Sequence, residues 1–232
     1  MDRVLLLLFT VVVLANAGEH KKIRVYFKQC EKIDDECIRI NAQKVVDLIP
    51  IDKPLEVDEW TIKPTKILNY EQHYKNIKMY NHHQGKVAKA HLDANEAEST
   101  WKLEMDVYVP EVVLSGDYEF KPGSTLYGVD VASKGKVSYF HRGYNVTLTL
   151  SGTVTFEDKA KFTATDSKLL MSADAMAFDF KTGDPKVDER ITAVYRDNFH
   201  AIFEDAGDQY AEMYAKVYQD IANDLIFDKE AN

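Results

Sequence analysis

Two hydrophobic periods divide the chain. From Leu55 to Phe180, apolar residues recur at every second position in successive runs. KLEMDVYVP alternates at Leu103, Met105, Val107 and Val109 and stops at Pro110, and KNIKMYNHH alternates at Ile77 and Met79. LEVDEWTI alternates less perfectly, at Leu55 and Val57. VSYFHRGYNVTLTLSGTVTF puts Leu148, Leu150, Val154 and Phe156 on one parity, and KFTATDSKLLMSADAMAFDF closes the set. A period of two is a strand with one buried face. Turn residues separate the runs at His83-Gln84-Gly85, Ser115-Gly116-Asp117, Lys121-Pro122-Gly123, Ser133-Lys134-Gly135 and Thr182-Gly183-Asp184-Pro185. The layout predicts an antiparallel meander.

From Ala193 to Phe227 the period lengthens. Phe199, Ile202, Phe203, Ala206, Tyr210, Met213, Tyr214, Val217, Ile221 and Leu225 fall on one helical face, and Gly207 is the one residue that weakens the run. A helix of that length spans roughly 50 Å at ~1.5 Å per residue. A compact domain of this size has a radius of gyration of about 17 Å, so the helix would cross it completely. A one-sided sheet and a one-sided helix must bury their apolar faces together. The expected fold is therefore α+β: a highly curved antiparallel sheet wrapped around one long C-terminal helix. A short N-terminal helix is expected over Asp34 to Leu48, capped by Asp34 or Asp35 and ended by Pro50.

The first residues read as a secretion signal. Met1-Asp2-Arg3 precedes an apolar run from Val4 to Leu14, and Ala15-Asn16-Ala17 is a small-x-small cleavage site. Residues 1–17 are thus a signal peptide and 18–232 one domain. The run is too short for a membrane span, which takes about 20 residues. An extracellular location makes Cys30 and Cys37 most simply a disulfide. Asn145-Val146-Thr147 is the only glycosylation sequon. The net charge of −9 argues against nucleic acid or an anionic membrane surface as a partner.

Catalytic motifs are missing: no G-x-S-x-G elbow, Gly-rich phosphate loop, H-E-x-x-H or EF-hand loop occurs. No cofactor or metal is expected. His73, His82, His83 and His91 lie close in sequence, but neighbours point to opposite sides of a strand. Solvated histidines in a hairpin region are the simpler reading. The helix stripe is first of all core. Its bulky aromatics and methionine also fill a curved space imperfectly, which leaves room for an apolar tunnel. Tyr210, Met213, Tyr214 and Val217 on the helix, with Trp60 and Trp101 on strands, are the candidate tunnel wall.

Four stretches together resemble the insect takeout and haemolymph juvenile-hormone-binding protein family. They are the close pair Cys30 and Cys37 followed by a helix; LIPIDKPLEVDEWTI; KLEMDVYVPEVVLSGDYEF, with Pro110, Gly116 and Tyr118 at the matching positions; and VYRDNFHAIFED opening the terminal helix. The resemblance implies a long helix in a curled sheet, as in the tubular lipid-binding superfamily. It also implies a secreted carrier of terpenoid hormones or fatty acids, and for some members circadian, feeding or chemosensory roles. FDFKTGD at Phe178 to Asp184 departs from the family pattern, as does Phe199 where tryptophan is usual, and the first helix is curtailed. The chain also ends soon after Phe227, short of the usual tail.

The expectation is a non-catalytic, monomeric carrier of a small hydrophobic ligand, with an unknown receptor as the other partner to consider. The alternative is an interaction or structural protein with a filled core, favoured if the cavity falls below about 300 Å³. A lipid-ester hydrolase is the third class, for which no nucleophile and base are apparent.

Overall fold

A computed structural model describes residues 34–95, 97–156 and 160–224. The signal segment, Cys30, Leu225 and Phe227 lie outside the described residues. Helix α1 (Asp35–Val46) starts where Asp34 accepts the Cys37 N–H at 2.8 Å, satisfying one of the orphan donors of a first turn. Eight strands follow: β1 (Leu55–Ile62), β2 (Gln72–Tyr80), β3 (Lys86–Asn95), β4 (Thr100–Phe120), β5 (Thr125–Leu126), β6 (Val129–Asp130), β7 (Ser133–Phe156) and β8 (Ala160–Lys181). Helices α2 (Pro185–Asp197) and α3 (Phe199–Ala222) end the described chain. The main sheet runs β1-β2-β4-β7-β8, all antiparallel, and curls into a half-barrel; β5 and β6 pair apart from it.

The strands are longer than their alternation suggests. β4 runs through Pro110 and through the expected turn at Ser115–Asp117, and the expected turn at Ser133–Gly135 is the start of β7. One edge of β4 is shared end to end by β3, up to Tyr108, and by β2, from Val113. Pro110 sits in the gap between them, where a proline costs no ladder bond to a neighbour on that edge. A short 3-10 turn, His82–Gln84, fills the gap.

At the same level the buried face changes parity in all three long strands. In β4 it passes from Trp101 and Val109 to Val112, Leu114, Tyr118 and Phe120. In β7 it passes from Val137, Tyr139 and His141 to Tyr144, Val146, Leu148 and Leu150, and in β8 it changes between Leu169 and Phe178. Gly143, at φ +60°, is the residue where β7 changes sides; a Cβ there would lie 2.0 Å from the Asp174 carboxylate. Broken alternation at one level thus marks a kink across a continuous sheet, not three strand ends.

The expected single terminal helix is two. Asp184 caps α2 by accepting the Lys186 N–H, with Pro185 in the first turn. The break falls at Asn198, whose side-chain amide donates to the Val194 carbonyl at 2.8 Å. That local bond competes with continuing the helix. α3 alone is ~36 Å long at ~1.5 Å per residue. Glu204, Asp208, Glu212, Lys216, Asp220 and Asp224 form an exposed ridge at four-residue spacing, and the positions between them are partly or fully covered. α3 packs on both β1 and β8, so it bridges the two outer strands of the curled sheet.

Each free edge is closed by a helix side-chain amide. Gln209 of α3 accepts from Lys63 N (2.8 Å) and donates to Lys63 O (3.1 Å), just past β1. Asn223, after α3, accepts from Ala164 N (2.9 Å) and donates to Ala164 O (3.1 Å) on β8. Gln43 of α1 accepts from Val87 N (2.8 Å) and donates to Gly85 O (2.9 Å) at β3. A carboxamide carries one donor edge and one acceptor, like a peptide unit, so it can substitute for a missing strand. Asp205 of α3 adds a carboxylate that accepts from Thr65 Oγ1, Ile67 N and Leu68 N.

Replacing Gln43, Gln209 or Asn223 by Ala removes two such bonds and is expected to lower unfolding free energy by about 1–2 kcal/mol each, near-additively for separate edges. Urea melts of the single and triple variants check this; an unchanged midpoint in all of them would refute the edge-sealing role. Gly143→Ala is expected to cost about 1–2 kcal/mol from its left-handed backbone alone, read as a fall in melting temperature that removing the Asp174 side chain does not fully restore.

Candidate functional site

On the α1 side of the kink lies an apolar slot with a cavity volume of about 100 Å³. Its floor comes from the alternating strand faces: Leu103, Met105, Val107 and Val109 of β4, and Val146, Leu148 and Leu150 of β7. Its roof is helical: Ala42, Val45, Val46 and Ile49 in and after α1, and Tyr218, Ile221 and Ala222 of α3. From Val109 to Leu103 the strand advances roughly 20 Å at ~3.3 Å per residue, so the floor residues spread over that length.

Two of its fifteen lining residues are polar, His82 and Tyr218. His82 enters from the 3-10 turn that fills the break between β2 and β3. Its Nδ1 is 2.8 Å from the Tyr218 hydroxyl, and its Nε2 is buried without a hydrogen-bond partner among the described residues. Burial lowers the His82 pKa to about 3, with His141 and His83 adding repulsion. His141, on β7, is also buried; its Nε2 is 3.5 Å from the Tyr214 hydroxyl, and burial lowers its pKa to about 4. The two rings flank Tyr214 at centroid distances of 6.1 Å. They form a neutral polar seam at the level of the kink.

Beyond the seam the tube is filled by aromatic rings. Phe120 stacks on Tyr195 at 6.2 Å, and Phe180 and Tyr118 close around them. The hydroxyls satisfy one another: Tyr70 with Tyr195 at 2.7 Å, Tyr74 with Tyr139 at 2.7 Å, and Tyr210 donating to Gln72 Oε1 at 3.0 Å. Burial raises the Tyr210 pKa to about 12 despite hydrogen bonds from Tyr74 and Tyr139 that lower it.

None of the six residues expected to wall a tunnel is among those lining the slot. Trp60 donates to the Gln209 carbonyl at 3.2 Å and fastens β1 to α3. Trp101 pairs with Gly152 across β4 and β7, and its ring fills the space a Cβ there would occupy (2.8 Å); it donates to Thr153 O. Tyr210 belongs to the hydroxyl network, Tyr214 to the seam, and Met213 and Val217 are buried core. The helical wall lies one turn further on, at Tyr218, Ile221 and Ala222.

Solvation was the wrong expectation for His82, which is 4% exposed, although His91 is exposed between Asp35 and Asp93. No group of three or more His, Cys, Asp or Glu among the described residues is arranged to hold a metal. No described helix is long and apolar enough to cross a membrane. Asn145 is exposed on β7 in a second groove of about 420 Å³, which also holds the exposed Tyr108 and Leu170. Cys37 is buried at the start of α1; the pairing expected for it involves Cys30, outside the described residues.

Comparison with known proteins agrees with this architecture. The fold is similar to that of Takeout 1 from Epiphyas postvittana, with a TM-score of 0.67 at 12% identity, over 84% of this chain and 92% of that one. A lipopolysaccharide binding protein overlaps more loosely, with a TM-score of 0.38 at 7% identity over 79% of this chain and 36% of that one. No curated protein matches. The profile of the haemolymph juvenile hormone binding protein family matches residues 5–230, nearly the whole length. The chain belongs to that family.

Proposed function

We propose that this protein is a secreted, non-catalytic carrier of a small hydrophobic ligand, held in the slot between α1, the end of α3 and the sheet. The observation that carries this reading is the lining: thirteen of fifteen residues are aliphatic or methionine, in a cleft roofed by two helices. Such a surface gains about 25 cal/mol for each Å² of ligand it takes from water. Family membership supports a binding role over a catalytic one. In this reading residues 1–17 are cleaved, 18–232 form one monomeric domain, Cys30 pairs with Cys37 and Asn145 carries a glycan. A terpenoid or fatty-acid-like ligand, and a part in circadian, feeding or chemosensory physiology, follow from kinship with the takeout proteins.

A second reading has one observation in its favour. The half beyond the seam is packed with rings, and the cavity is below the roughly 300 Å³ usual for a ligand site. A protein acting only through its surface would look the same there. Ligand binding to the purified chain separates the two.

Displacement of a fluorescent apolar probe is expected from the wild type. Ala42→Phe or Ala222→Phe, each placing a ring in the slot, is expected to weaken it by about tenfold or more, the equivalent of roughly two buried methylenes. Unchanged affinity in both variants removes the slot as the site. Because His82 stays neutral well below its ordinary 6.5, affinity is expected to be flat between about pH 5 and 8. An ordinary histidine titration in the affinity profile contradicts this.

A further inference from the structure

We infer that the first sugar of an N-linked glycan on Asn145 seats in the groove on the outer face of the sheet, with its apolar face against Tyr108 and Leu170. This rests on the secreted reading, and it assigns an occupant to the groove on the opposite side of the sheet from the slot.

Register builds this groove of about 420 Å³. Asn145 lies on β7, the middle of three neighbouring strands, directly opposite Tyr108 on β4 and Ser172 on β8. The next rung on the same face is Asp106, Thr147 and Leu170. Directly opposed Cβ atoms are about 5 Å apart and diagonal ones about 7–8 Å, so a sugar on Asn145 reaches both Tyr108 and Leu170. Ser172 and Ala88, the latter where β3 bulges against β4, are short and leave the space.

The outer face breaks its polar pattern at these two rungs. Tyr108 is 41% exposed and Leu170 58%. The following rungs, Glu104-Thr149-Lys168 and Lys102-Ser151-Asp166, are polar throughout, as a water-facing side should be. The apolar exceptions thus flank the sequon Asn145-Val146-Thr147. A pyranose has one face of C–H groups and a rim of hydroxyls. The C–H face is drawn to the negative face of an aromatic ring, while the rim stays in water. A purely apolar partner would instead bury the Asp106 carboxylate and the Ser172 hydroxyl of the same groove.

The acceptor atom is suitably held. Asn145 is exposed, and its Nδ2 donates to the Gly143 carbonyl at 2.9 Å. Glycosylation joins Nδ2 to the sugar C1, breaks the bond from C1 to the pyrophosphate of a lipid-linked oligosaccharide, and releases one amide proton with that pyrophosphate. The product keeps one N–H, so the bond to Gly143 survives. In a trans amide that N–H lies on the Cβ side, which turns the sugar outward. Transfer precedes folding, so a sequon inside a strand is no obstacle.

The test starts from chain secreted by insect cells, with glycopeptide mass mapping at Asn145 and trimming to a single N-acetylglucosamine. Melting temperatures of four proteins then form a cycle: wild type with the sugar, Asn145→Gln without it, and the same pair carrying Tyr108→Thr. The sugar is expected to raise the wild-type value by about 2–4 °C, and by about half of that or less in Tyr108→Thr. On the unaltered glycoprotein, sugar protons are expected to show NMR contacts to the Tyr108 ring and upfield shifts from it. An equal gain in Tyr108→Thr, or sugar protons at the shifts of the free glycopeptide, overturns the assignment. So do dimers of the glycosylated wild type that Leu170→Ser dissolves, because a second copy then holds the groove. Secreted chain bare at Asn145 removes this inference and leaves the secreted reading intact. Chain retained in the cytosol with residues 1–17 attached removes both.

Discussion

The structure depends on how a curled sheet is prevented from presenting its edges. A sheet bent into a half-barrel leaves outer strands with unpaired N–H and C=O groups, which invite pairing with another chain. Among the described residues no strand closes the gap. Gln209, Asn223 and Gln43 each offer a carboxamide that donates to one edge carbonyl and accepts from an edge N–H. Helix α3 is thereby tied to both outer strands at once, which fixes the diameter of the tube. Two of its turns must stay polar to do this, and the exposed ridge from Glu204 to Asp224 lies between the two sealed edges. The apolar arc of the helix is wide because nearly all of the remaining circumference is enclosed.

The kink divides that tube into two chambers of different character. Every long strand changes its buried parity at one level, around Pro110, Gly143 and Asp174. A sheet that turned smoothly would carry one parity along its whole length. Changing it lets each half curve around its own helix: α2 with the first half of α3 on one side, α1 with the end of α3 on the other. The first chamber is filled by tyrosines and phenylalanines whose hydroxyls satisfy one another. The second is lined by short aliphatic side chains that leave the slot. Close packing is concentrated in the first chamber and open volume in the second.

Much of the fold was legible in the sequence because period-two and period-3.6 patterns report which face is buried. Leu103, Met105, Val107 and Val109 were readable as one inward face, and they are the floor of the slot. The errors share a cause: local rules describe an element alone. Proline ends a strand that has neighbours on both edges, but Pro110 lies where one neighbour is missing. The helical pattern runs through Asn198 because a capping side chain does not disturb hydrophobic spacing. His82 looked solvated because no local feature reveals that a 3-10 turn would carry it into the gap between β2 and β3. The six candidate wall residues came from the helix stripe and the two tryptophans, whereas the slot is lined mainly by other aliphatic side chains.

That distinction bears on how such a protein could hold a ligand without trapping it. A large aromatic chamber is close-packed and would charge a high energy for any opening. The slot needs no such opening, since its roof is two helix ends and its lining is already incomplete. The two roof contributors, α1 and the end of α3, pack on β3 and β8 and are also hydrogen-bonded to the sheet there, through Gln43 and Arg39 and through Asn223 and Gln219. Edge-sealing amides are polar contacts that water can replace, so they yield more cheaply than a core. In the carrier reading, a widening slot would have to part these same edge contacts. Edge protection and ligand access would then draw on the same few side chains, so strengthening one would alter the other.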